Sequence, residues 1–126
     1  MLRGVRGATT VDENTEEQIL EEVTNLLSEL VTLNMICLED IAAIIFSSTP
    51  DLNAAFPAKA ARKMGWSDVP LFGTQEIEAP DAVEKCVRAL ILWNTAKSQK
   101  EIQHLYLKGA AVLRQDIVAA AKEKGC

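Results

Sequence analysis

A chain of 126 residues, 48% apolar and 25% charged with a formal charge of −5, has the size and balance of one folded domain, which excludes a disordered chain. Its apolar runs are far shorter than the roughly 20 residues needed to span a bilayer, and its acidic average argues against nucleic-acid binding. The charge is unevenly spread: Asp12 to Asp51 holds ten carboxylates and no Lys or Arg, leaving eight acids with all thirteen bases elsewhere.

The opening run Leu2 to Val11 predicts a strand ending in β-formers. No GxGxxG or Walker pattern follows Gly4 and Gly7, so they read as points of close backbone approach inside a sheet. A charged start, apolar run and cleavage site are missing, so no leader is expected. Thr15 and Gln18 have capping-box spacing, and Glu16 and Glu17 suit the positive end of a helix dipole. Ile19, Leu20, Val23, Leu26, Leu27, Leu30 and Val31 then recur at helical steps, predicting a covering helix that stops near Asn34. Its carboxylates are expected to face solvent.

Ile41 to Phe46 reads as a short strand buried on both faces, closed by the turn Ser47 to Asp51. A second helix follows, with Pro57 in its first turn and Gly65 as its stop, carrying Lys59, Arg62 and Lys63. Val69 to Phe72 predicts another strand, placed by Pro70 at an edge or a strand start. Residues 81–94 fit a helical period and a buried strand equally well; the reading adopted is a short helical turn, then a strand. Ser98 to Gln103 reads as a polar turn and His104 to Leu107 as a further short strand. The segment over 117–126 is helix-prone and a candidate mobile tail of a single domain spanning 1–126. Strands alternating with helices favour α/β layering.

The chemistry-bearing residues are few. Cys37, Cys86 and Cys126 have neither metal nor redox spacing and read as free thiols of a reducing compartment, hence a cytoplasmic location. The single His, His104, has no Ser or Cys motif beside it and reads as a hydrogen-bonded structural residue. No cluster offers metal-ligand spacing. Arg88 lies inside the most apolar segment, between Cys86-Val87 and Ala89-Leu90-Ile91-Leu92. Two readings stand side by side: an ion pair with an internal carboxylate (or snorkelling to the surface), and a guanidinium fork presented to an anionic ligand. Arg6 and Arg114 raise the same question more weakly.

Taken in order, these pieces carry a resemblance. Arg3-Gly4-Val5-Arg6-Gly7-Ala8-Thr9-Thr10, Thr49-Pro50-Asp51-Leu52 and Phe56-Pro57-Ala58-Lys59-Ala60-Ala61-Arg62 are followed by Val69-Pro70, Gln75-Glu76 and Cys86-Val87-Arg88. His104-Leu105-Tyr106-Leu107 and Val112-Leu113-Arg114 complete the set, which spans nearly everything from Arg3 to Asp116. The chain resembles the small trimeric α/β type of chorismate mutase, distinct from the all-helical type. The resemblance implies an α/β fold with a mixed sheet covered by helices, assembled as a homotrimer that forms a pseudo α/β barrel, with active sites at the clefts between subunits. It implies an isomerase that converts chorismate to prephenate in phenylalanine and tyrosine biosynthesis, with no cofactor, metal, nucleic-acid or membrane partner.

Position by position, the resemblance makes Arg6 and Arg88 the arginines that hold the dicarboxylate substrate, with Arg88 also at the ether oxygen of the breaking C–O bond. Glu76 matches the carboxylate that bonds the ring hydroxyl, and Tyr106 a phenol that contacts a substrate carboxylate. Phe56 and Leu113 match apolar walls, while Lys59, Arg62 and Arg114 match basic groups at the entrance. The family often has Thr-Cys before its Met-Gln-Glu or similar run; here the run is Phe72-Gly73-Thr74-Gln75-Glu76. The thiol contact is therefore absent at Gly73, whose backbone N–H remains as a donor, and altered affinity is expected rather than lost activity. Two other readings are kept: a non-catalytic trimeric protein that binds small carboxylates, and the related trimeric folds that act on reactive imines.

Overall fold

The computed structural model describes residues 1–113; Arg114, Cys126 and the tail over 117–126 lie outside the described residues. Strand β1 (Leu2–Thr10) leads into helix α1 (Glu16–Asn34), which returns the chain to β2 (Ile41–Ser48). Helix α2 (Ala58–Lys63), β3 (Leu71–Gln75), β4 (Cys86–Asn94) and the two-residue β5 (Leu105–Tyr106) follow. The sheet runs β3-β2-β4-β1-β5. Strand β4 is central and antiparallel to both β1 and β2, whereas β2–β3 and β1–β5 are parallel.

Side chains alternate across a strand, and β4 shows the consequence. Val87, Ala89, Ile91 and Trp93 are buried beneath the helices with Ile19, Val23, Leu26, Leu27 and Leu30 of α1. Arg88, Leu90 and Leu92, which alternate with them, are exposed or half-buried on the opposite, open face. Two expectations are corrected here. Strand β2 is covered on one face only, since Ile44 and Phe46 are buried while Ala42 is exposed and Ile45 half-buried. Residues 81–85 hold a turn and bends rather than a helical turn, and extended backbone begins at Cys86. An apolar run cannot distinguish a strand covered on both faces from one whose second apolar face is left open.

Helix α1 starts and stops as its residues dictate, with one change. The Gln18 N–H donates to Thr15 Oγ1 at 3.3 Å, half of the expected box, but the Gln18 side-chain oxygen accepts from the Glu13 N–H instead, at 3.0 Å. At the other end Met35 adopts a left-handed φ of 55°, with Ile36 N–H donating to the Val31 carbonyl and Met35 N–H to that of Thr32, a Schellman closure made without glycine. Asn34 is more than a stop. Its buried amide donates to the carbonyls of Leu30 and Gln103 and accepts from the Gln103 N–H, tying the helix end to the segment that enters β5.

Gly7 is where α1 meets the sheet. A Cβ there would lie 2.6 Å from Leu30 Cδ1 and 3.1 Å from Leu26 Cδ1, so these two leucine side chains fill the place a side chain would take. Gly7→Ala is expected to lose about 1–3 kcal/mol of stability through overpacking, read as a lower urea midpoint. An unchanged midpoint would mean that Leu26 and Leu30 make way without cost.

Candidate active site

Register on the open face assembles the candidate residues. Ser47 pairs with Arg88, Arg88 with Ala8, and Ala8 with Tyr106, making one row across β2, β4, β1 and β5. Small neighbours at Ser47 and Ala8 leave room over the guanidinium. Arg6 pairs with Leu90, which puts it diagonal to Arg88, roughly 7–8 Å away along the same face. Glu76 follows β3, where its N–H donates to the Ser48 carbonyl at 2.9 Å. Its Oε1 stands 3.4 Å from Arg88 Nε. These side chains, with Ile45, Leu90 and Leu113, line a cavity of about 400 Å³.

Arg88 is thus not a buried charge. Its side chain is 45% exposed and that of Glu76 28%, so the pair has no large desolvation cost to recover. At 3.4 Å the contact is longer than a close charge-assisted hydrogen bond. Arg88 has a carboxylate partner, as the first reading expected, though not a buried one, and it also lines an open cavity beside Arg6. Cys86 begins β4 and is buried; burial pushes its thiol up, which suits a packing residue and not a thiolate.

The other candidates lie elsewhere. Phe56, Lys59 and Gly73 line a second cleft of about 680 Å³, together with Phe46, Thr49, Leu52 and Gln75. Phe56 is 77% exposed. Lys59 forms an ion pair with Glu16, whose carboxyl is held below its usual range by that lysine. Gly73 lies on the edge strand β3. Because Ile44 N–H donates to the Pro70 carbonyl and Glu76 N–H to that of Ser48, the evenly alternating parallel ladder directs even-numbered residues of β3 toward β2 and turns the Gly73 N–H outward. Nothing lies within 4 Å of a Cβ placed there. Arg62 is exposed on α2 and lines neither cavity, and Arg114 is outside the described residues. Within one chain the candidates therefore form two groups, one on the open face and one at the β3 edge.

Sequence reasoning missed Ala8, Ile45, Ser47 and Leu90 as lining residues. A signal existed, since two-residue alternation from Arg88 reaches Leu90, but the cross-strand partners depend on register. Among the described residues no three His, Cys, Asp or Glu side chains cluster as metal ligands would.

His104 has a structural partner: its Nδ1 accepts the Arg6 N–H at 2.9 Å. Burial and the nearby Arg6 cation hold its pKa below the usual 6.5. The folded chain therefore takes up this proton less readily than the unfolded one. The associated stability is complete above about pH 6.5 and declines as pH falls toward the lowered value. His104→Asn keeps an acceptor for the Arg6 N–H and is expected to flatten this part of the slope in urea unfolding between about pH 5 and 7. An unchanged slope in that variant would assign the pH dependence to other groups.

The mixed sheet gathers two arginines, a carboxylate and a phenol around a small cavity, an arrangement suited to a compact anion. A family model described as chorismate mutase type I matches residues 2–117. The chain is 42% identical over 118 residues to Chorismate mutase AroH of Bacillus subtilis (strain 168), covering 93% of each chain. It is 43% identical over 121 residues to Chorismate mutase AroH of Thermus thermophilus, covering 95% of this chain and 99% of that one. A solved structure of a chorismate mutase from Clostridium thermocellum superposes with a TM-score of 0.85 at 48% identity, covering 86% of this chain and 97% of its own. The chain belongs to the type I chorismate mutase family.

Proposed function

We propose that this chorismate mutase rearranges chorismate to prephenate at the open-face cavity, with Arg6, Glu76, Arg88 and Tyr106 as the groups that touch the substrate. The observation that carries the reading is the row Ser47–Arg88–Ala8–Tyr106 with Glu76 against Arg88 and Arg6 diagonal to it. It supplies two cations and a phenol for a dicarboxylate, and a carboxylate for its ring hydroxyl. The family's activity places the reaction in the biosynthesis of phenylalanine and tyrosine.

The reaction is intramolecular: a C–O bond breaks as a C–C bond forms, with no proton transfer or covalent enzyme intermediate. Catalysis then reduces to two tasks. Holding the side chain over the ring in its reactive conformer removes an entropic part of the barrier. A guanidinium at the ether oxygen, where negative charge grows as the bond lengthens, binds the transition state more strongly than the ground state. Arg88 performs the second task in this reading, oriented by Glu76.

The functional unit is proposed to be a homotrimer of single-domain chains. Two observations support it. The open face leaves Ile45, Leu90 and Leu92 half-buried in the isolated chain. The remaining candidates, Phe56, Lys59 and Gly73, belong to a separate cleft that a neighbouring copy could bring against the first. Leu113, which lines the open-face cavity, is kept as an apolar wall of the site. A cytoplasmic location is part of the same reading and rests on the free thiols of Cys37 and Cys86. No helix among the described residues is long and apolar enough to cross a membrane. Neither the non-catalytic carboxylate-binding protein nor the imine-acting enzyme has an observation in its favour.

Arg88→Lys keeps the charge but loses the planar fork, so kcat should fall on the order of 10²-fold or more; near-normal turnover would defeat the role. Glu76→Gln should cost less than Glu76→Ala, since the amide still bonds the hydroxyl; equal losses in two folded variants would implicate the negative charge itself. Arg62→Ala and Lys59→Ala should mainly raise KM and weaken its salt dependence. Light scattering should return the mass of three chains, and the mass of one would refute a shared site.

A further inference from the structure

In the motif Thr49-Pro50-Asp51-Leu52, Thr49 and Leu52 line the second cleft, whereas Asp51 stands at the junction where β4 begins. Asp51 holds two consecutive peptide groups at the start of β4, one directly and one through Thr49. Its Oδ2 accepts the Lys85 N–H at 2.9 Å. Its Oδ1 accepts the Thr49 hydroxyl, which in turn accepts the Cys86 N–H at 3.0 Å. The Thr49 N–H closes the junction by donating to the Cys86 carbonyl at 3.0 Å.

Lys85 needs this support. Its φ of 45° lies in the left-handed region, which a side chain with a Cβ disfavours. Its carbonyl accepts the Val11 N–H at 2.8 Å, so the peptide is gripped from β1 as well. Arg88 lies three residues further along, on β4, and the connection back from Lys85 leads to Glu76, itself hung from the Ser48 carbonyl. The Asp51 carboxylate thus holds the peptide at which β4 begins.

We infer that Asp51 is a positioning residue for the Arg88–Glu76 pair, acting through the left-handed backbone of Lys85. The inference rests on the reading of that pair as catalytic. Arg6, on β1, is five residues from Val11, further from this junction than Arg88 is from Lys85, so loss of Asp51 should affect the chemical step more than capture of the substrate by Arg6. A displacement of about an ångström can cost up to two orders of magnitude in rate.

The test measures kcat and KM for chorismate in the full-length protein, with urea unfolding and light scattering on the same samples. Asp51→Ala is expected to lower kcat roughly tenfold to a hundredfold while KM moves by less than about threefold. Asp51→Asn, which keeps one acceptor oxygen, should fall between it and the parent. Glycine adopts φ of 45° without the side-chain penalty, so Lys85→Gly added to Asp51→Ala should recover most of the lost kcat. A folded Asp51→Ala protein with parental kcat, or a double variant as slow as the single one, overturns the proposal. If Asp51→Ala does not fold, the same comparison is made with Asp51→Asn, with and without Lys85→Gly. Arg88→Lys measured alongside separates the two claims. Parental turnover in that variant defeats the catalytic pair itself, whereas a slow Arg88→Lys beside an unaffected Asp51→Ala defeats only the positioning role.

Discussion

The two-residue alternation of β4 is the constraint on which the rest of this structure depends. A central strand hydrogen-bonded on both sides cannot rotate, so every second side chain must enter the helix layer. Val87, Ala89, Ile91 and Trp93 do so and anchor the core under α1. That burial commits Arg88, Leu90 and Leu92 to the opposite face, whatever their chemistry. A shift of one residue would bury the Arg88 guanidinium under Leu26 and Leu30, at a cost no single ion pair recovers. The same register that builds the core thus presents the arginine.

The division of charge follows from the division of faces. The lysine-free and arginine-free stretch from Asp12 to Asp51 includes all of α1, whose apolar stripe covers one side of the sheet. Its acids are drawn off into solvent or into pairs with cations on its own side. Glu16 meets Lys59, and Glu22 holds Lys108 at 3.0 Å and raises its pKa. Arg6 and Arg88 are left on the other side of the sheet, where Glu76 is the carboxylate lining their cavity. An acidic protein can therefore gather cations at one cavity, because its acids lie mostly on the other side of the sheet or are paired there.

The open face also explains why so little catalytic machinery is visible. A rearrangement that moves no proton to the protein asks only for rigid donors, and rigidity here comes from the sheet. Arg6 is held through its backbone by His104, Tyr106 by pairing with Ala8, and Glu76 by the Ser48 carbonyl. Each support engages the residue's own main chain, which leaves less freedom than a contact between long side chains.

Local patterns alone made much of this legible. Apolar spacing predicted α1, Pro57 and Gly65 bounded α2, Pro70 marked an edge strand, and the ordered motifs from Arg3 to Arg114 indicated the family. These signals lie within a few residues of one another, so one chain segment suffices to express them. Three things were decided only by the tertiary structure: the open second face of β2 and β4, the use of Asn34 and His104 as backbone partners, and the separation of the candidates into two cavities. Each depends on which strand lies beside which and in what register. Hydrogen bonds between residues 69 positions apart, such as Asn34 to Gln103, leave no periodic trace in the chain. The amino-acid order determined which residues could bind an anion, and sheet register decided which of them face the same one.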